Sequence, residues 1–100
     1  MSLVVEWRNS DGTVRDRASD PTGELDRWVS TDLDVEDWPM LWSIDPYGDT
    51  FFNSRQCVRL GMELRRLARD GSPESALDSI LRLVDRCQEN PHSVIAVIGD

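Results

Sequence analysis

FNSRQCVRLGMELRRLARDGSPESALDSILRLVDRCQENPHSVIAVIGD, residues 52–100, carries the punctuation that decides the fold. Asn53 followed three positions later by Gln56 is a capping-box pattern, and Phe52 with Cys57 occupies the hydrophobic-staple positions around it. Cys57, Leu60, Met62, Leu64 and Leu67 then recur at near-helical spacing, with Arg55, Arg59, Glu63 and Arg66 on the polar side. Gly71 stops this helix, and Ser72-Pro73 starts another with proline at its first helical position. Ala76, Leu77, Ile80, Leu81, Val84 and Cys87 form the second apolar stripe, and Asn90-Pro91 closes it. The spacing predicts an antiparallel helical hairpin over about 54–70 and 73–89. Ser93–Ile98 is then a continuous apolar run rich in β-branched residues, the pattern of a central strand covered on both faces.

Upstream of the hairpin the signals are strand and turn. Leu3–Arg8 reads as a strand, Asn9–Gly12 as a tight turn and Thr13–Arg17 as the returning strand, because Asp-Gly tolerates the positive φ that a hairpin needs. Asp20–Gly23 is a second break. Residues 24–30 fit either a strand or a short helical turn, and 32–39 form an acidic connector without a period. Met40–Ile44 reads as a strand, Asp45–Gly48 as a turn, and Thr50–Phe52 as a short return. The order implies an α+β fold, with both helices on one face of a mostly antiparallel sheet. A chain of 100 residues suits one domain, 1–100.

Charge is distributed unevenly. Residues 1–50 hold 12 acids and four arginines, whereas 51–100 are balanced, so the whole net charge of -8 lies in the first half. The tryptophans Trp7, Trp28, Trp38 and Trp42 fall in or beside the most acidic stretch, 20–49. Nucleic acid is excluded as a partner, since phosphate binding needs excess positive charge. No apolar run approaches the roughly 20 residues that cross a bilayer, and the first residues lack a secretory pattern. Two cysteines are too few for a disulfide scaffold. A soluble, cytoplasmic protein is expected, with no membrane association.

No arrangement of chemistry-bearing residues demands catalysis. Cys57 and Cys87 each lie about 20 Å from the helical turn at 1.5 Å per residue, which places them at similar height as buried, reduced thiols. Asp32, Asp34, Glu36 and Asp37 invite a calcium reading, but counting from Asp32 puts Asp37 and Ser43 where the loop needs glycine and glutamate. Asp45, Asp49, His92 and Asp100 would form an acid–base group only if Ile44 and Val94 sat on neighbouring strands. One histidine and two cysteines do not make a zinc site. Neither a metal nor a cofactor is implied. Arg55, Arg59 and Arg66 follow one helical face, with Arg65 and Arg69 beside it, and Glu63 is spaced to pair with them.

The run Ile44–Gln56 resembles a segment, D-P-Y-G-D-T-x-F-N-x-x-Q, of small bacterial proteins, many of them actinobacterial. In that group two helices and a terminal strand ending in Gly-Asp follow, as Gly99-Asp100 does here. The similarity spans about residues 38–100 and implies a bacterial origin and the fold already read, without an activity.

The expected function is therefore non-enzymatic. An acidic surface carrying Trp28, Trp38 and Trp42 as anchors, with Asp32, Asp34, Glu36 and Asp37 as steering charges, suits a basic protein partner. An inhibitor, antitoxin or immunity-type module fits that description. A homo-oligomeric subunit is the alternative, and a small enzyme using Asp45, Asp49 and His92 ranks last.

Overall fold

In the computed structural model, which describes residues 3–20, 23–69 and 74–99, the Asp11-Gly12 turn has the geometry its residue types favour. Gly12 adopts φ 91°, and Asp11 Oδ1 accepts the Thr13 N–H at 2.9 Å. The elements are β1 (Val4–Asn9), β2 (Val14–Ser19), α1 (Glu24–Val29), α2 (Pro39–Ser43), β3 (Asp49–Asn53), α3 (Ser54–Arg69), α4 (Glu74–Glu89) and β4 (Ser93–Ile98). The strands form one antiparallel sheet in the order β2-β1-β4-β3, so the apolar run at 93–98 is central, as its composition predicts.

Alternation along each strand separates two faces. Val5, Trp7, Ala18, Phe52, Ile95 and Val97 are buried on the inner face and join Leu60, Leu64, Leu67, Leu77, Ile80, Leu83 and Val84 from the paired helices α3 and α4 in one core. Burying each large side chain contributes about 1.5–3 kcal/mol, so this layer carries most of the fold. Asn53 and Gln56 make the reciprocal capping box: Gln56 N–H donates to Asn53 Oδ1 at 2.9 Å and Asn53 N–H to Gln56 Oε1 at 2.8 Å. The breaks expected at Gly71 and at Ser72-Pro73 lie outside the described residues.

Two readings need correction, the strand at Met40–Ile44 and the polar pattern of α3, and a third is resolved. Met40–Ile44 is not a strand, because 39–43 form α2, with Pro39 at its start. Met62 is not in the apolar face of its helix but 57% exposed, and Glu63, placed on the polar side by its spacing, is 2% exposed. The region 24–30, which sequence leaves open, is helical. Its first turn is capped from a distance, with the buried Asp20 accepting the Leu25 and Asp26 N–H groups at 3.1 and 3.0 Å.

Near the end of the sheet the backbone of Gly99 passes so close to the 45–48 turn that a Cβ would lie 2.4 Å from the Pro46 carbonyl oxygen. Only glycine fits there. Gly99 N–H donates to Gly48 C=O at 2.8 Å, extending the β3–β4 ladder by one step.

Cys57 and Cys87 face each other across the hairpin, both fully buried. A hydrogen bond to Cys87, reinforced by burial, pushes the Cys57 thiol well above its ordinary value. Ser93 Oγ lies 3.6 Å from the Cys87 sulfur and donates to Asn90 C=O at 2.7 Å. A thiol reagent should therefore modify neither cysteine in the native protein and both after denaturation; modification of the native protein would contradict this packing.

On the outer face of the sheet Glu6 sits almost fully covered between Arg8 and its cross-strand partner Arg17. Arg8 Nε donates to Glu6 Oε1 at 2.9 Å, and Arg17 Nη2 to Oε2 at 2.6 Å. The Arg8 hydrogen bond, opposed by burial and aided by Arg17, lowers the Glu6 pKa below its ordinary 4.5. A carboxylate with a depressed folded value contributes stability that is complete above its unfolded value and is lost as pH falls through the folded one. Glu6→Gln should cost about 1–2 kcal/mol at neutral pH, part of the gain being screened at the exposed Arg17. The difference from the parent protein should shrink steadily in urea titrations below pH 4.5.

Candidate functional site

The segment 32–43 owes its position to one carboxylate on another element. Glu63, the only acid in α3, turns inward, accepting the Met40 N–H on Oε2 at 3.1 Å and the Leu41 N–H on Oε1 at 3.0 Å. Those are unsatisfied donors of the first turn of α2, and the negative charge also suits the helix's positive end. Leu41 is fully buried against the core, so a carboxylate and an apolar plug together fix this five-residue helix. Arg59 Nε reaches the same carboxylate at 3.3 Å, and Arg59 Nη2 stands 3.5 Å from the Asp37 carbonyl oxygen.

The acidic loop preceding α2 is a compact turn. Asp34 Oδ1 accepts the Glu36 N–H at 2.9 Å, while the Asp34 carbonyl accepts from Asp37 and Trp38. Asp32, Asp34, Glu36 and Asp37 are all exposed, with Val35 exposed among them. Trp28 and Trp38 take a different position. Their rings are 6.3 Å apart at a tilt of 35°, both half-buried against the core. The Arg66 guanidinium lies 4.2 Å from the centre of the Trp38 ring, a cation–π contact. Trp42 alone of the four tryptophans points outward, at 57% exposure. Trp7 is in the core, with Arg15 4.0 Å from its ring centre.

Beside the acidic loop runs a surface of opposite sign. All five arginines of α3 are exposed, and its one acid is buried. Arg65 is held by Asp85 of α4 through two bonds of 2.7 and 2.8 Å. Arg59, Met62, Arg66 and Arg69 line an open groove of about 570 Å³ that Asp37 closes on the acidic side. Val58 and Met62 are exposed and put an apolar strip among these arginines, on the side of the helix that its period sets opposite Cys57, Leu60, Leu64 and Leu67.

The acid–base group does not assemble. β3 and β4 are antiparallel, with Asp49 opposite Ile98 and Asn53 opposite Val94. Asp45 and Asp49 therefore stand at one end of the sheet and His92 at the other, with Asp49 and His92 roughly 20 Å apart along the strands at 3.3 Å per residue. Ile44, which the acid–base group would need on a strand beside Val94, instead follows α2 into the core. Asp100 lies outside the described residues. Among the described residues no three His, Cys, Asp or Glu side chains converge as a metal site, and no helix is long and apolar enough to cross a membrane. Comparison with family models, curated proteins and solved structures finds no match, so the functional reading rests on these residues alone.

If Glu63 positions this region, Glu63→Ala should lower stability by about 2 kcal/mol by removing a two-donor cap. It should also shift tryptophan emission to the red as Trp38 gains solvent. An unchanged unfolding midpoint and spectrum would show that Leu41 alone holds α2.

Proposed function

We propose that the chain is a non-enzymatic protein-binding module of inhibitor, antitoxin or immunity type that engages a basic protein through residues 32–42. The observation that carries this reading is Trp42, which projects into solvent from a helix whose leading loop carries four exposed carboxylates. A large aromatic side chain left outside the core is the residue type that dominates binding energy when a partner closes over it. The charges around it act earlier, raising the rate at which a positively charged partner arrives.

Trp28 and Trp38 serve this surface from beneath. Packed against each other at a tilt, with Arg66 over Trp38, they give the acidic loop a stiff base, so less order has to be gained on binding. Sequence ranks all three tryptophans alike as anchors; the geometry favours Trp42 for contact and the other two for support. Asp34 has two uses, since its carboxylate both holds the turn and adds to the field.

The test starts from affinity capture in a lysate of the producing organism at low salt, followed by association kinetics with the protein recovered. Asp34→Asn, Glu36→Gln and Asp37→Asn together should slow association about tenfold and flatten its salt dependence. The asparagine keeps the Oδ1 acceptor of the turn, so loop shape is preserved. Trp42→Ala should instead speed dissociation about tenfold or more. Rates unchanged in both variants would remove this surface from the interaction.

A further inference from the structure

The two edges of the sheet are protected very differently. β2 presents Arg15, Asp16 and Arg17 in succession, and the ladder beside it carries an irregularity between Trp7 and Arg8. Charges and bulges of this kind discourage further strand pairing. β3, the other edge, reads Asp49-Thr50-Phe51-Phe52-Asn53, with no cation, proline or bulge.

Its backbone polarity follows from one bond. Because Gly99 N–H donates to Gly48 C=O, the hydrogen-bonded pairs of this antiparallel ladder are Gly48 with Gly99, Thr50 with Val97 and Phe52 with Ile95. Asp49 and Phe51 consequently direct their N–H and C=O groups away from β4. Asn53 would be next in that row, but α3 has taken both of its groups: Gln56 Oε1 accepts the N–H, and the carbonyl accepts the first bond of the helix. Among the described residues nothing bonds the outward groups of Asp49 and Phe51. Phe51 itself is 53% exposed, with the Arg8 guanidinium 5.8 Å from its ring centre.

Four vacant groups in this arrangement are self-complementary. We infer that a second copy of this chain pairs antiparallel along β3, about a two-fold axis at Thr50, joining two four-stranded sheets into one of eight. In that register Asp49 of each copy lies opposite Phe51 of the other, and every vacant N–H meets a vacant C=O. Thr50 faces Thr50 of the second copy as a close, non-hydrogen-bonded pair, a combination that strands favour. In that register the Asp49 side chain of each copy lies beside Phe51 of the other on the outer face of the joined sheet. Two-fold pairing with one patch serving both copies is the commonest form of self-association.

The net charge of -8 on each copy opposes the pairing, so added salt should tighten it. Binding of a basic partner at 32–42 has the reverse salt dependence, and either property can fail without the other. The experiment is sedimentation of the full chain across concentration and salt, combined with hydrogen exchange of individual amides. The expected result is a dimer favoured by salt, in which the Asp49 and Phe51 amides exchange more slowly as concentration rises. Thr50→Lys and Thr50→Glu should each weaken self-association about tenfold or more, because like charges would then face each other. An equimolar mixture of the two should restore it. A wild-type monomer at all concentrations overturns the inference. So does a dimer that leaves exchange at Asp49 and Phe51 unchanged, or a mixture of variants that stays monomeric.

Discussion

The inward turn of Glu63 is the interaction on which the placing of residues 32–43 depends. A helix of five residues has too few internal bonds to persist alone, because the cost of nucleation is spread over so little propagation. α2 exists because a buried carboxylate from α3 takes its leading N–H groups while Leu41 fills the core beneath. With α2 fixed, the acidic loop lies against Arg59, Trp38 lies under Arg66, and Trp42 points outward. The same device recurs at Asp20, which caps α1 from outside the helix. In both cases an ionised group is tolerated in the interior because backbone donors satisfy its oxygens.

That arrangement separates charge more finely than the net value suggests. The first half of the chain carries the excess acid, yet its exposed carboxylates at 32–37 border the five exposed arginines of α3. The encounter proposed with a basic partner would therefore be oriented as well as accelerated, since attraction at one surface comes with repulsion at its neighbour. On a third surface, the outer face of the sheet, the Glu6 carboxylate is shared by two arginines, Arg8 and Arg17. Ala96 is fully buried on this face between its cross-strand neighbours Glu6 and Phe51.

The sequence made the hairpin and the central strand legible because their signals are local: a capping box, a 3.6-residue period and a β-branched run. Met40–Ile44 was illegible for the opposite reason. Five residues of mixed polarity fit a strand or a helix, and the group that decides lies 22 residues away on Glu63. Met62 is exposed because the 3.6-residue period sets it nearly opposite Cys57, Leu60, Leu64 and Leu67, whereas Glu63 lies at the edge of that stripe, where α3 also meets α2. Which tryptophan faces outward could not be read from an acidic segment with no period. The separation of His92 from Asp49 depended on strand direction, which spacing alone leaves free.

The central place of β4 also governs the order in which the chain can assemble. β1 and β2 can close as a hairpin early, and α3 can pack on α4, but β1 and β3 have no direct bond to each other. Until residues 93–98 have left the ribosome and threaded between them, β3 is a solitary strand and the inner faces of β1 and α4 lack their principal cover. Pairing Val4 with Ile98 closes a loop of more than 90 residues, the kind of distant contact that slows folding. During that interval Phe51, Phe52 and the β1 edge have no strand to cover them, the condition under which partly folded chains aggregate.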